Sequence, residues 1–421
     1  MASVKRGMIG RTLVSFLPGI FLLGFNIGTG SVTTMAKAGA TYGMALLWTV
    51  LISCAATYVM INAYGRYTLV TGETALQAFR RHIHPAVGIS FIVALTVGVA
   101  GSVMGVMGII ADISFEWSKG IIAGGIAPIW WALFFASLVY FIFWNGRTQI
   151  FERALATIVA VMAGSFVLNF FILAPPPLDI LKGMIPSVPE IAPSETGGQG
   201  PLLLIASMVG TTLFSGLFII RTTLVKEAGW TIADEGHQRR DALLAVVMMF
   251  VISAAIMAAA AGTLFTAGVG LDRASQMIVL LEPLAGTFAV AIFAIGIIAA
   301  GVSSQFPNVL MLPWLLCDYT NADRDMTLPK YRIMVFAISL LGLVVPLIGA
   351  RPVFVMIASQ AFNVVLLPAT VACIFYLGNR ADLMGENRHS LVTNVSLVAI
   401  FLFSLVTSLL GYQGLMALLE G

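Results

Sequence analysis

Apolar runs of about 20 residues recur from one end of this chain to the other, and that recurrence leaves few folds open. A helix needs about 20 apolar residues to cross a bilayer, or about 17 to 25 when tilted. On that criterion eleven spans are expected, at about 12–40, 43–68, 86–111, 121–144, 152–175, 201–227, 242–268, 284–316, 331–349, 353–377 and 391–418. Thr71–His84 reads as a short interfacial helix. Pro175–Gly200, rich in Pro, Gly and Ser, reads as an external loop. No stretch suggests a separate soluble domain, so residues 1–421 read as one all-α polytopic membrane domain.

Composition closes the alternative. Only 10% of the residues are charged, against about 25% in an ordinary soluble domain. With 59% hydrophobic residues and a mean hydropathy of +0.99, a soluble fold of this size lacks the polar surface to cover itself. Soluble enzymes, nucleic-acid binders and disordered scaffolds are excluded. A net charge of +3 does not point to a polyanion. The expected partners are a small-molecule substrate and membrane lipid, with no nucleic acid and no obligate protein partner. Cys54, Cys317 and Cys373 have no CxxC spacing and read as small core residues. Lys5, Arg6 and Arg11 precede an apolar run as in a signal peptide, but apolar segments continue throughout, so a first transmembrane helix is the better reading.

Charge placement orients the spans. Seventeen of the 22 Lys and Arg residues fall on one side of the eleven-span arrangement, leaving Lys37, Lys119, Lys182, Arg273 and Arg351 on the other. By the positive-inside rule the amino end is cytoplasmic and the carboxyl end external. A bacterial inner (plasma) membrane is the expected location.

Two spans carry polar and glycine interruptions: Asn26-Ile27-Gly28-Thr29-Gly30-Ser31 in the first and Thr211-Thr212-Leu213-Phe214-Ser215-Gly216 in the sixth. In lipid a helix can break only where it lines a cavity, because every backbone N–H and C=O must be paired. Breaks five spans apart are what an inverted five-helix repeat predicts, with a binding site at the bilayer midplane. Residues 12–175 then form the first repeat, 201–377 the second, and 391–418 an added span.

Leu17-Pro18-Gly19, Ala38-Gly39-Ala40-Thr41-Tyr42-Gly43 and Leu46-Leu47-Trp48 resemble the opening of the Nramp divalent-metal transporters. Leu69-Val70-Thr71-Gly72-Glu73, Ala299-Ala300-Gly301-Val302-Ser303-Ser304, Ser359-Gln360, Leu367-Pro368 and Leu383-Met384-Gly385-Glu386 are similar to that family and keep its order. The resemblance implies a LeuT-type fold. Its functional residues do not carry over. The family's Asp-Pro-Gly-Asn motif falls on Gly28-Thr29-Gly30-Ser31, its Met-Pro-His motif on Phe214-Ser215-Gly216, and a glutamine of span eight on Val302.

The span interiors agree with that loss. The first to fourth, seventh and ninth to eleventh carry no Asp or Glu, and His82, His84, His237 and His389 all fall in segments expected to be cytoplasmic. Divalent ions need oxygen, nitrogen or sulfur ligands, usually with compensating negative charge. No side-chain metal site is expected, and His82-x-His84 reads as part of an interfacial charge cluster. No paired acids, HExxH or Ser/His constellation lies at depth, so an intramembrane enzyme is not expected.

The break suggests an anion instead. At Gly28-Thr29-Gly30-Ser31 a half-helix begins, presenting unpaired N–H groups, the positive end of its dipole and a closely approachable backbone. Thr29, Ser31, Thr211, Thr212 and Ser215 add hydroxyls, and Phe214 beside Gly216 supplies an apolar wall. Asn26 and Asn363 contact either substrate or a neighbouring helix. Lys37 and Arg221 either snorkel to an interface or attract an anion. The reading is an ion-coupled secondary transporter importing a small organic carboxylate, such as an amino-acid derivative or 5-oxoproline. The alternative is a divalent cation, held hydrated by hydroxyls and carbonyls. No cofactor is expected. Na+ is favoured over H+ as the coupling ion, with Ala300, Ser303 and Ser304 as candidate ligands.

Overall fold

A computed structural model describes residues 28–144, 148–173, 175–189, 200–281 and 287–420, and the described residues hold helices and no strands. The long helices, in chain order, are α1 Thr29–Tyr42, α2 Leu47–Thr71, α3 Pro85–Ser118, α4 Pro128–Trp144, α5 Thr148–Leu173 and α6 Pro201–Thr212. They continue as α7 Ser215–Glu227, α8 Glu235–Ala260, α9 Thr287–Thr320, α10 Pro329–Leu341, α11 Pro352–Asn363, α12 Leu367–Asn379 and α13 Leu391–Glu420. Helices are the outcome that lipid dictates, since each satisfies its own backbone.

Eight segments among the described residues are long and apolar enough to cross a membrane unaided. The expected spans 1, 4 and 5 fall on α1, α4 and α5, which are shorter or adjoin residues outside those described. Asn26, Leu17-Pro18-Gly19 and the rest of the first span before Gly28 also lie outside the described residues. The Thr71–His84 segment is helical over Ala75–Ala78 and continues as a wide turn over Phe79–Ile83. The expected loop contains a short helix, Pro177–Gly183.

The sixth span breaks where the sequence expects it. α6 stops at Thr212, Leu213 and Phe214 leave helical geometry, and α7 starts at Ser215. α1 starts at Thr29 with Gly28 as its N-cap, in extended conformation. The α11–α12 pair is joined by a tighter turn, Val364–Leu366, just before Pro368.

Close packing of α3 on α11 sets the middle of the molecule. Gly98, Gly101, Gly105 and Gly108 share one face of α3. A Cβ there would lie 2.1 Å from Asn363 Oδ1, 3.0 Å from Ser359 Cβ, 2.9 Å from Met356 Cα and 2.6 Å from Val345 Cγ1, respectively. Small residues let membrane helices approach to such distances. On the other side of α11, a Cβ at Gly210 of α6 would lie 1.9 Å from the Gln360 carbonyl oxygen. α11 is thus clamped between α3 and α6. The three cysteines are buried and unpaired by disulfide.

His389, in the turn before α13, is also buried, and neither ring nitrogen has a hydrogen-bond partner among the described residues. Its ring lies against Gly378, where a Cβ would sit 2.0 Å from Cε1. Burial, assisted by the Arg66 charge, pushes its pKa down to about 4 from an ordinary 6.5. The unfolded chain therefore binds the extra proton between those values, and the native state is favoured above pH 6.5. That advantage, about 3 kcal/mol, is lost as pH falls toward 4. Melting temperature measured from pH 7 to pH 4.5 should fall in the wild type and fall distinctly less in His389→Gln. Equal slopes would mean that His389 does not titrate in this way.

Candidate functional site

Where α1 begins and α6 ends, α3, α9 and α11 converge on a cavity of about 50 Å3. Gly28, Gly30 and Ser31 line it from α1 and its cap, Thr211 and Phe214 from the sixth-span break, and Ser304 and Asn308 from α9. Ser102, with Val99 and Val106, comes from α3, and Gln360 and Asn363 come from α11. The glycine face of α3 and the Gly210 contact position the two amides. Asn363 Nδ2 donates to Gln360 Oε1 at 3.3 Å, and a Cβ at Gly30 would meet Gln360 Nε2 at 2.6 Å. Ser102 and Ser359 hydroxyls lie 3.0 Å apart, and Ser359 Oγ donates to the Gly98 carbonyl.

None of the described lining residues ionises. Among the described residues no three His, Cys, Asp or Glu side chains converge on a point. Among the described residues the cavity sees helix ends of both signs: the positive N-termini of α1 and, at its cap Phe214, of α7, and the negative C-terminus of α6. The dipoles alone therefore do not fix the sign of a ligand.

Of the residues singled out from the sequence, Gly28, Gly30, Ser31, Thr211, Phe214, Ser304 and Asn363 meet at this cavity. The others point elsewhere. Thr212 offers its carbonyl to Thr57 Oγ1 at 3.0 Å, and Ser215 Oγ accepts from Thr370 Oγ1 at 2.8 Å, so both serve interhelical contacts. A Cβ at Gly216 would lie 2.5 Å from the Phe214 ring, so this glycine admits the ring rather than a ligand. Thr29 Oγ1 is buried near Gly301 of α9 and has no partner among the described residues. Ala300 contributes its carbonyl, which accepts from Ser304 Oγ at 2.7 Å, while Ser303 does not line the cavity.

Sequence reasoning missed Ser102, Asn308 and Gln360. Two of them left a signal: Asn308 follows Ser304 by four residues and Asn363 follows Gln360 by three, so each pair shares a helix face.

Lys37 and Arg221 are corrected as anion attractors, because acids already neutralise both. Lys37 is buried with Nζ 3.1 Å from Asp272 Oδ1. Arg221 is fully buried with Nη1 2.6 Å from Asp241 Oδ2, and its guanidinium stands 5.4 Å over the Trp230 ring. Asp241 precedes the expected seventh span, 242–268, by one residue. It lies instead within α8, 1% exposed. At the interfacial helix Glu73 accepts from Arg81 at 2.7 Å and lies 2.7 Å from His82 Nε2. Burial alone would raise the Glu73 pKa, but these two partners hold it below the ordinary value.

Residues 20–412 match the family model described as natural resistance-associated macrophage protein-like, Nramp. The divalent metal cation transporter MntH of Erwinia tasmaniensis is 24% identical over 373 residues, covering 86% of this chain and 84% of that protein. The MntH of Mycobacterium tuberculosis is 23% identical over 401 residues, covering 92% and 88%. The fold is similar to that of the Eremococcus coleocola manganese transporter, with TM-score 0.72 at 16% identity over 100% of this chain and 95% of that one. It is also similar to Mhp1, a nucleobase-cation-symport-1 family transporter, with TM-score 0.57 at 15% identity over 96% and 90%. These likenesses place the chain in the LeuT-type fold.

They also correct the expectation of an imported organic carboxylate, since the matching relatives are divalent metal cation transporters. The described lining offers a carboxylate no cationic side chain, because Lys37 and Arg221 are each paired with an acid away from the cavity. Lost metal-binding motifs had weighed more in the sequence than the shared framework, but a match over nearly the whole length decides the matter: the chain belongs to the Nramp family of membrane transporters.

Proposed function

We propose that the chain is a secondary transporter of a divalent metal cation, held through neutral oxygen atoms while the ion keeps part of its water shell. The family match over residues 20–412 carries this reading. The hydroxyls of Ser31, Ser102 and Thr211 and the amide oxygens of Asn308, Gln360 and Asn363 suit a hard cation. The end of α6 adds negative dipole. Hard-cation affinity rises with the charge of the ligand set, so a site without carboxylates is expected to bind weakly.

In this reading residues 12–175 and 201–377 are inverted repeats that rock about the two breaks, with 391–418 appended. The amino end is cytoplasmic and the carboxyl end external. Na+ or H+ couples the cycle, with the Ala300 carbonyl, Ser303 and Ser304 as candidate Na+ ligands.

Purified protein in liposomes should take up Mn2+ or Mg2+ faster than protein-free liposomes. Millimolar divalent ion should raise its melting temperature, and 5-oxoproline should not. Uptake of neither ion above the protein-free level would overturn the reading.

A further inference from the structure

A second concavity, of about 530 Å3, lies on the flank of the molecule between α4 and α10, away from the central cavity. Its walls are apolar and aromatic, with Leu133, Ser137, Tyr140 and Trp144 on α4 and Phe336 and Leu340 on α10. Tyr140 and Phe336 meet edge to face, with centroids 5.4 Å apart, and tie the two helices together at its floor. From Trp144 back to Leu133 the helical rise is about 16 Å. That matches half of a hydrocarbon core about 30 Å thick, the depth of one leaflet.

One end of the groove is basic. Arg332 stands one helical turn before Phe336, and its guanidinium lies 3.6 Å over the ring of Trp144, itself a wall of the groove. Its Nε is buried with no hydrogen-bond partner, and it makes no ion pair among the described residues. Asp325 is near enough to interact with it, but that carboxylate accepts from Thr327 N at 2.9 Å and Thr327 Oγ1 at 2.5 Å. Lys330 is exposed at the same helix start, where α10 turns its positive dipole end outward.

We propose that this groove is a binding site for an anionic glycerophospholipid, its acyl chain laid along α4 and α10 and its phosphate on Arg332 and Lys330. The length fixes a single acyl chain reaching the bilayer midplane. The basic end selects net negative charge, because a zwitterionic headgroup brings its own cation to Arg332. Trp144 joins the two parts, closing the groove with its ring and orienting the guanidinium by stacking.

The test is native mass spectrometry of the full-length protein in a non-ionic detergent, titrated with phosphatidylglycerol or phosphatidylcholine of identical chains. The wild type should retain phosphatidylglycerol in preference. Arg332→Gln should weaken that retention about fivefold, the contribution of one basic residue near a headgroup, and Arg332→Lys should keep most of it. Ser137→Phe, at an exposed position of the groove, fills the acyl slot without touching the basic end. It should abolish the preference even if Arg332→Gln fails to fold. Equal retention of the two lipids by the wild type would overturn the proposal. So would an unchanged preference in Ser137→Phe.

Discussion

Gly28→Asp should raise the apparent affinity for Mn2+ at least about tenfold, read as a lower KM for uptake and a larger thermal shift at fixed Mn2+. The backbone admits the change. Gly28 has φ −90° and ψ −179°, extended geometry open to any residue. It is the N-cap of α1 and currently offers no side-chain cap. Aspartate is among the preferred N-caps, and its carboxylate sits at the positive end of the helix dipole. Gly28 also lines the cavity, so the new charge faces the bound ion. Two unit charges 4 Å apart interact by about 4 kcal/mol at an effective dielectric of 20, and a divalent ion doubles that. Desolvation of the carboxylate and its bonds to the cap N–H groups remove much of this gain. Tenfold, about 1.4 kcal/mol, is a lower bound on what remains. Gly28→Asn separates the two effects, because it caps equally well without charge. It should change Mn2+ affinity little, and equal behaviour of the Asp and Asn variants would count against a cation at this cavity.

The same residue shows where the sequence stops being informative. The start of α1 beside Gly28 is legible because glycine, threonine and serine interrupt an apolar run, and a backbone that leaves helical geometry in lipid must line a cavity. The sixth-span break, between Thr212 and Ser215, is legible for the same reason. The sign of the ligand is not. Once the family's carboxylate and thioether are absent, what remains is hydroxyls, amides and helix ends of both polarities. The N-terminus of α1 was visible at Gly28. The opposing C-terminus of α6, and the Gln360 and Asn308 amides, become part of the site only when α9 and α11 are brought beside it. Gln360 reaches the cavity because Gly30 has no side chain in its way and Gly210 lets α6 approach its backbone, and such complementarity between distant segments leaves no local pattern. Asp241 falls outside the expected span for a different reason. It follows Arg239 and Arg240, so hydropathy starts the span at 242, seven residues after α8 begins at Glu235.

Asp241→Asn should destabilise the protein by about 3–5 kcal/mol, the cost of leaving one member of a buried ion pair unmatched. Arg221 and Asp241 are 0% and 1% exposed, and the contact between them is 2.6 Å. Arg221 Nε and Nη2 have no hydrogen-bond partner among the described residues, so the Asp241 carboxylate, reached through Nη1, carries most of the compensation for the buried guanidinium. The asparagine keeps the shape and an acceptor oxygen but removes the countercharge. Replacing both residues by apolar ones, Arg221→Met with Asp241→Leu, removes the uncompensated charge and should recover most of the lost stability. The pair joins α7, the half-helix after the break, to α8. If it acts only as packing, the double variant should transport as well as the wild type once its stability is restored. If the charges hold α7 in register while the repeats move, that variant should be stable and slow. Melting temperature and initial uptake rate, measured on the three proteins together, distinguish these outcomes. An Asp241→Asn protein as stable as the wild type would show that the buried guanidinium finds its compensation elsewhere.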